Sequence, residues 1–351
     1  MGMLADRVDH VIGVDTHKLS HTAAVVDPAG GRTASVTVAA DAFGYKRIYR
    51  FGCQQAAGRR VWAIEGSGSF GSGLTTFLLE HGEWVVEVDR PARPARRNGA
   101  KTDELDAVRA AREALARDHL AQPRQRGVRE AMRVLLRTRE GAVRARTRAI
   151  CHLKALIATS PEQLRQHFRV LGDRDLVNRC ARLRTGPSQP LEHRATVIAL
   201  RATGRRVLAL EAEANDLESQ LEDLIAAHAP WLLDQPGVGP LTAAEILIAW
   251  SHPRRLRSDA AFAMLAGAAP IPASSGQTVR HRLNRSGDRQ LNRALHTIIL
   301  SRLAHHPETR AYAARRQAEG KTPREIKRCL KRYLARRLFR LLEHHAPTLA
   351  P

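Results

Sequence analysis

VIGVD (Val11–Asp15) and VWAIE (Val61–Glu65) are built alike, each a short β-prone run that stops on a carboxylate. Three more β-rich runs lie around them: HTAAVVD (His21–Asp27), TASVTVA (Thr33–Ala39) and WVVEVD (Trp84–Asp89). Helical patterns over Phe43–Ala57 and Leu74–His81 separate the later ones. Strands joined by tight turns and crossover helices predict a mixed α/β sheet. Asp15 and Glu65 then stand at strand ends, where ligands of α/β sheets gather.

Downstream the pattern changes. After a loop over 90–100 that carries Pro91 and Pro94, the chain reads as helix from Thr102 to Ile157, broken at Pro123. A stretch rich in Pro, Gly and Ser (Thr185–Pro190) precedes a second long helix over Glu192–His228. There Leu210, Leu217, Leu221 and Leu224 keep helical spacing among acidic residues. The two long helices predict an antiparallel or dimerising arm. Beyond Trp231 come the turn PGVGP (Pro236–Pro240), a helix from Thr242, a small-residue stretch over Ala266–Gly276 and two basic helices ending near His345. A chain of 351 residues is long for one core. Cuts near 110 and 230 give an α/β domain (1–110), a helical, coiled-coil middle (111–230) and a mainly α C-terminal domain (231–351).

Lys and Arg number 57 against 35 Asp and Glu, for a formal net charge of +22. The excess clusters over Arg90–Arg97, Arg133–Arg148 and Arg328–Arg340, the footprint of a polyanion binder. A GC-rich genome explains arginine in place of lysine, but not so large an excess of basic over acidic residues. Cys53, Cys151, Cys180 and Cys329 show no CxxC pair and no histidine at zinc-finger spacing, which argues against a disulfide framework and structural zinc. No apolar run approaches the ~20 residues that span a bilayer, and the start lacks a signal-peptide pattern. The expectation is a soluble, cytoplasmic protein with no membrane partner, nucleoid-associated when bound to DNA.

Asp103 and Asp106 open a helix in KTDELDAVRAA (Lys101–Ala111), and a spacing of three puts both on one helical face. With Asp15 and Glu65 they make four carboxylates able to meet in one cleft. Like charges that close disfavour ionisation, and a pair of Mg2+ ions, hard and oxygen-loving, would resolve the cost. Taken singly, Asp15 also reads as a turn residue, Glu65 as a surface carboxylate and Asp103 as a helix-start residue. Their joint order, strand, strand and helix, is what those readings leave unexplained.

GVDTHK around Asp15, AIEGSGSFG around Glu65 and KTDELDA around Asp103 and Asp106 resemble the Asp-Glu-Asp-Asp tetrad of an RNase H-like domain of the RuvC type. With PGVGPLTAAEIL, AGAAPIPASSG and NRSGDRQLNRAL, nearly the whole chain resembles the DEDD-type insertion-sequence transposases, the bridge-RNA-guided recombinases. The resemblance implies an enzyme that cuts and rejoins element and target double-stranded DNA, guided by a structured noncoding RNA, in a homo-oligomer, dimer or tetramer. It also implies a catalytic serine, Ser275, with Ser274 as the alternative. That serine would attack the DNA backbone and hold it as a serine-phosphate, at a composite site shared by the two catalytic domains. By itself a Ser-Ser-Gly loop is an ordinary turn or cap.

PGVGPLTAAEIL further resembles a helix-hairpin-helix, in which Gly237 and Gly239 bring backbone N–H groups against a phosphate; a plain helix–helix turn is the alternative. Arg280, Arg282, Arg285, Arg289 and Arg293 follow the serine and are candidates for forked hydrogen bonds to phosphates, or for a solvated basic face. Two further readings stand beside the recombinase. One is a Mg-dependent, RuvC-like Holliday-junction resolvase that uses water and no serine. The other is a non-catalytic nucleic-acid scaffold.

Overall fold

The computed structural model describes residues 3–88, 102–118, 120–273 and 281–346. It divides into two compact units, 1–125 and 126–351.

In the first unit, β1 (His10–Thr16), β2 (Ser20–Val26) and β3 (Arg32–Ala39) run as an antiparallel meander, followed by helix α1 (Ala42–Gln55). Strand β4 (Arg60–Glu65), helix α2 (Ser72–Glu80) and strand β5 (Val85–Val88) complete the sheet, and helix α3 (Asp103–Leu115) covers it. β4 lies parallel to β1, and β5 parallel to β4, in the order β3-β2-β1-β4-β5. This mixed sheet with helices is the RNase H-like arrangement expected of the first domain.

β1 is buried along both faces, so its side chains alternate between two apolar layers. Ile12, Val14, Trp62 and Ile64 face one layer with Ile48 of α1 and Leu74 and Leu78 of α2. Val11, Val61 and Ala63 face the other, with Ala107, Ala111 and Ala114 of α3. The period of two therefore assigns Asp15 and Glu65 to the α3 face.

The second unit begins with α4 (Val128–Ala158), continues through α5 (Glu162–Phe168) and α6 (Asp173–Ala181), and returns along α7 (Leu191–His228). Pairs Arg139–Glu218 and Arg146–Glu211 join α4 to α7, and the two helices run antiparallel. Where that reading saw only a Pro-rich break, α5 and α6 build a small core of their own: Leu164, Phe168 and Val177 pack on Leu153 and Leu200. Then follow α8 (Pro230–Leu233), α9 (Pro240–Trp250), α10 (Asp259–Leu265), strands β6 (Ile271–Pro272) and β7 (His281–Arg282), α11 (Arg289–His305), α12 (Pro307–Ala318) and α13 (Pro323–His344). α9 is apolar enough to be buried from Ala243 to Trp250.

The boundaries expected near 110 and 230 fall differently on this structure. Residue 110 lies inside α3, which packs on the sheet and cannot be cut from it. At 230, Met132 and Leu136 of α4 and Leu221 and Ile225 of α7 share one continuous core with α9, α11 and α13.

Candidate functional site

Gly13 sets how closely α3 can approach the sheet. A Cβ there would lie 2.0 Å from Ala107 O and 2.7 Å from Ala111 N, so only glycine lets the helix backbone rest on β1. Two residues along the same face is Asp15. At the head of α3, Thr102 caps the helix through its hydroxyl, which accepts from Leu105 N, and Asp103 and Asp106 occupy the first turn. The first turn carries the positive end of the helix dipole, which favours carboxylates. Thr16 Oγ1 donates to Glu65 O at 2.8 Å and ties the ends of β1 and β4 together.

The tightest group this produces is Asp15, Asp103 and a residue the sequence reading gave no role, His17. Their ligand atoms lie within 4.8 Å of one another, with His17 Nε2 3.1 Å from Asp15 Oδ2 and 3.4 Å from Asp103 Oδ1. Glu65 and Asp106 stand outside that tight group, Asp106 accepting from Arg109 Nη1 at 2.7 Å. Both are nonetheless within electrostatic reach of Asp15. Burial raises the Asp15 carboxyl above its ordinary range, His17 opposes the shift, and Asp103, Glu65 and Asp106 each add to it. Asp103, Glu65 and Asp106 thus all bear on Asp15.

These residues fit a divalent cation. Asp15 is 8 % exposed and surrounded by negative charge, so its anion is stabilised only by a positive partner. The donors are carboxylate oxygens, which suit a hard divalent ion, with one imidazole nitrogen, a ligand that transition metals also take.

In the second unit, Ser274, Ser275 and Arg280 lie outside the described residues, as do Arg90–Arg97 in the first. The ends of the serine-bearing segment are described: β6 and β7 pair antiparallel, Ile271 with Arg282 and Pro272 with His281. The motif NRSGDRQLNRAL joins the end of α10 to the start of α11. A Cβ on Gly287 would meet Leu265 O at 2.5 Å, so the turn closes directly on the end of α10. Asp288 caps α11 by accepting from Gln290 N and Leu291 N, and Asn292 Nδ2 donates to Ala266 O at 2.6 Å.

Gly237 takes the left-handed conformation, φ +75, that the expected hairpin turn needs. Gly239 spends its N–H on its own helix, donating to Thr242 Oγ1 at 3.0 Å, so the expected phosphate contact competes with an internal bond. Arg282, Arg285 and Arg289 are exposed. Arg293 is exposed too but pairs with Glu140 of α4.

Family comparison matches both units. A model described as the Transposase IS116/IS110/IS902 family matches residues 229–314, and a DEDD transposase model of the IS110 type matches residues 12–160. The chain is 27 % identical to the "Insertion element IS900 uncharacterized 42 kDa protein" of Mycobacterium paratuberculosis, over 95 % of this chain and 96 % of that protein. It is 37 % identical to the "Insertion element IS110 uncharacterized 43.6 kDa protein" of Streptomyces coelicolor, over 30 % of this chain and 27 % of that protein.

Proposed function

The chain belongs to the DEDD-type transposases of the IS110/IS116 family and is a DNA transposase of an insertion sequence; from that premise we propose that it cuts and rejoins DNA through a covalent Ser275-phosphate. Asp15, Glu65, Asp103 and Asp106 hold divalent cations, which we take to be two Mg2+ ions, and His17 joins Asp15 and Asp103 at the same place. Bound there, the cations would neutralise charge on the phosphodiester and favour the attacking and leaving oxygens. The hydroxyl of Ser275 forms a bond to phosphorus as the bond to the leaving DNA oxygen breaks, and the serine proton ends on that oxygen. Attack by the hydroxyl end of another strand reverses the step and reseals the backbone. Arg282, Arg285, Arg289 and Arg293, with Arg280, which follows the serine in the sequence, neutralise phosphates, Arg293 by exchanging Glu140 for DNA. The turn at Gly237 and Gly239 adds a further backbone contact.

The observation that supports the metal-dependent reading is the buried carboxylate of Asp15 with ligand atoms of His17 and Asp103 within 4.8 Å of it and of each other. Sequence choice by a structured noncoding RNA suits a chain rich in arginine and poor in aromatics, since the protein then needs only shape and backbone contacts. A dimer or tetramer would hold the strands to be exchanged.

The test incubates the protein with element-end DNA, its noncoding RNA and Mg2+, and looks for a denaturation-resistant protein–DNA adduct. Wild type is expected to form it, and Asp15→Ala and Ser275→Ala to lose it. Cleavage without an adduct that survives Ser275→Ala would replace this reading with the water-dependent resolvase.

A further inference from the structure

A cavity among α11, α12 and α13 takes no part in the chemistry above. Arg302, Arg337 and His306 line it together with Tyr312 and Tyr333. Arg302 is 8 % exposed. Its Nε donates to Pro236 O at 2.6 Å, whereas its Nη2 has no hydrogen-bond partner. Burial draws this guanidinium below its ordinary range, and the charge that acts on it, Arg337, is a second cation pushing the same way. A buried charge is costly unless it is paired, and buried arginines ordinarily sit against carboxylates. Glu308 also lines the cavity but forms no ion pair with either guanidinium. The wall thus carries positive charge that nothing among the described residues neutralises.

Aromatic placement is an independent observation. The chain has four tyrosines, and two of them meet here, edge to face with centroids 6.1 Å apart. Tyr333 is 59 % exposed on a helix otherwise faced with basic residues. An aromatic ring beside uncompensated guanidinium groups is how proteins hold a nucleotide out of the stack, ring on base and cation on phosphate. A paired duplex offers phosphates but no base face, so it satisfies only half of such a site.

We propose that this cavity binds one unpaired nucleotide of a DNA strand, its phosphate on Arg302 and Arg337 and its base on Tyr333. Through the bond from Arg302 to Pro236, the occupied cavity also braces the PGVGP turn. The cavity shares no residue with the acidic cluster, and the proposal does not rest on the metal or serine chemistry.

Fluorescence anisotropy of the full chain in EDTA tests it, with metal chemistry switched off. The probes are a labelled oligothymidylate of about a dozen nucleotides, within the usual span of single-strand sites, the same length as duplex DNA, and its RNA counterpart. Tyr333→Ala is expected to weaken binding of the DNA single strand about fivefold or more, the loss of one stacked base, while duplex affinity stays within about twofold. Arg337→Gln is expected to weaken the same complex and to lower its salt slope by about 0.7, one phosphate contact on a single strand. Both residues are exposed, so unchanged thermal melting marks each loss as local. Single-strand affinity equal to wild type in both variants overturns the proposal. So does an equal loss on duplex, the behaviour of a generic basic surface, or a loss seen with the RNA strand alone.

Discussion

Replacing Gly13 with alanine adds one methyl group and, on this structure, should damage the site out of proportion to its size. The new Cβ would sit 2.0 Å from Ala107 O, and real Cβ atoms keep at least 3.0 Å from such neighbours, so α3 must retreat by about 1 Å. The obstruction is helix backbone, which cannot swing aside as a side chain would. Two consequences separate cleanly. Overpacking of this kind costs about 1–3 kcal/mol, which for a unit of this size lowers its melting temperature by about 4–12 °C. Because Asp103 and Asp106 ride on α3 while Asp15 stays on β1, the same displacement also opens the acidic group. A misplacement of about 1 Å is enough to cost roughly 100-fold in rate. Circular dichroism melting and Mg2+-dependent cleavage, assayed at a temperature where the variant is fully folded, measure the two effects. A Gly13→Ala protein that melts with wild type and cleaves at the wild-type rate would refute the close packing of α3 on β1 as the device that assembles the site.

Divalent metal should stabilise the first unit, by about 2.7 kcal/mol at a concentration of 100 times Kd, and Asp15→Asn should abolish that gain in thermal shift. In the second unit, Glu245 is buried and held by Arg137 Nη2 at 2.7 Å, so Arg137→Met should cost about 3–5 kcal/mol at neutral pH by stranding a buried carboxylate. Burial raises the Glu245 carboxyl above its unfolded value even with Arg137 opposing, so the folded state binds the proton more tightly, and stability is lost as pH rises through that raised value. The Arg137→Met defect should therefore shrink at mildly acidic pH in denaturant melts; a defect independent of pH would contradict it. Burial pushes the Cys180 thiol up to about 11, so at neutral pH the native protein should be alkylated at exposed Cys53 and Cys151 and spared at Cys180, as read by peptide mass mapping.

The sheet and its two strand-end acids were legible because strand alternation is a local property: counting by twos from Val11 reaches Asp15, and from Val61 reaches Glu65. The helical face of Asp103 and Asp106 was legible for the same reason. The role of Gly13 was not, since it depends on a helix ninety residues away crossing at that point. His17 carried a signal that passed unused, a second ligand-type side chain two residues beyond a strand-end carboxylate. The strands β6 and β7 are two residues each, too short for any periodicity, and α5 and α6 are short enough that their core shows only in three dimensions. Asn284, Gly287, Asp288 and Asn292 belong to a motif that the resemblance rests on; Asn284 Nδ2 donates to Met264 O, Asp288 accepts from Gln290 N and Leu291 N, and Asn292 Nδ2 donates to Ala266 O while its Oδ1 accepts from Lys331 Nζ, so what they join is the end of α10 and the start of α11.

The arginine excess divides into two populations, and the division changes what the net charge means. Along α4, Arg133 pairs with Glu130, Arg137 with Glu140 and Glu245, Arg139 with Glu218 and Arg146 with Glu211. Within the run Arg133–Arg148, read from sequence as part of a polyanion footprint, Arg137, Arg139 and Arg146 thus hold α4 in register with α9 and α7, and Arg133 pairs within α4. Apart from the buried Arg137–Glu245 pair, such part-exposed pairs contribute only about 0.2–1 kcal/mol each, so their value lies in fixing register. Arg336 and Arg340 are likewise taken by Asp259. On the proposed reading, nucleic acid is met chiefly by arginines with no carboxylate partner among the described residues, such as Arg302 and Arg337 at the tyrosine-lined cavity and Arg282, Arg285 and Arg289 after the serine. Counterion release counts phosphates actually neutralised. The salt slope of DNA binding should accordingly follow this smaller second population, and a slope that fell on removing Arg139 or Arg146 would show that the interhelical pairs open to bind DNA.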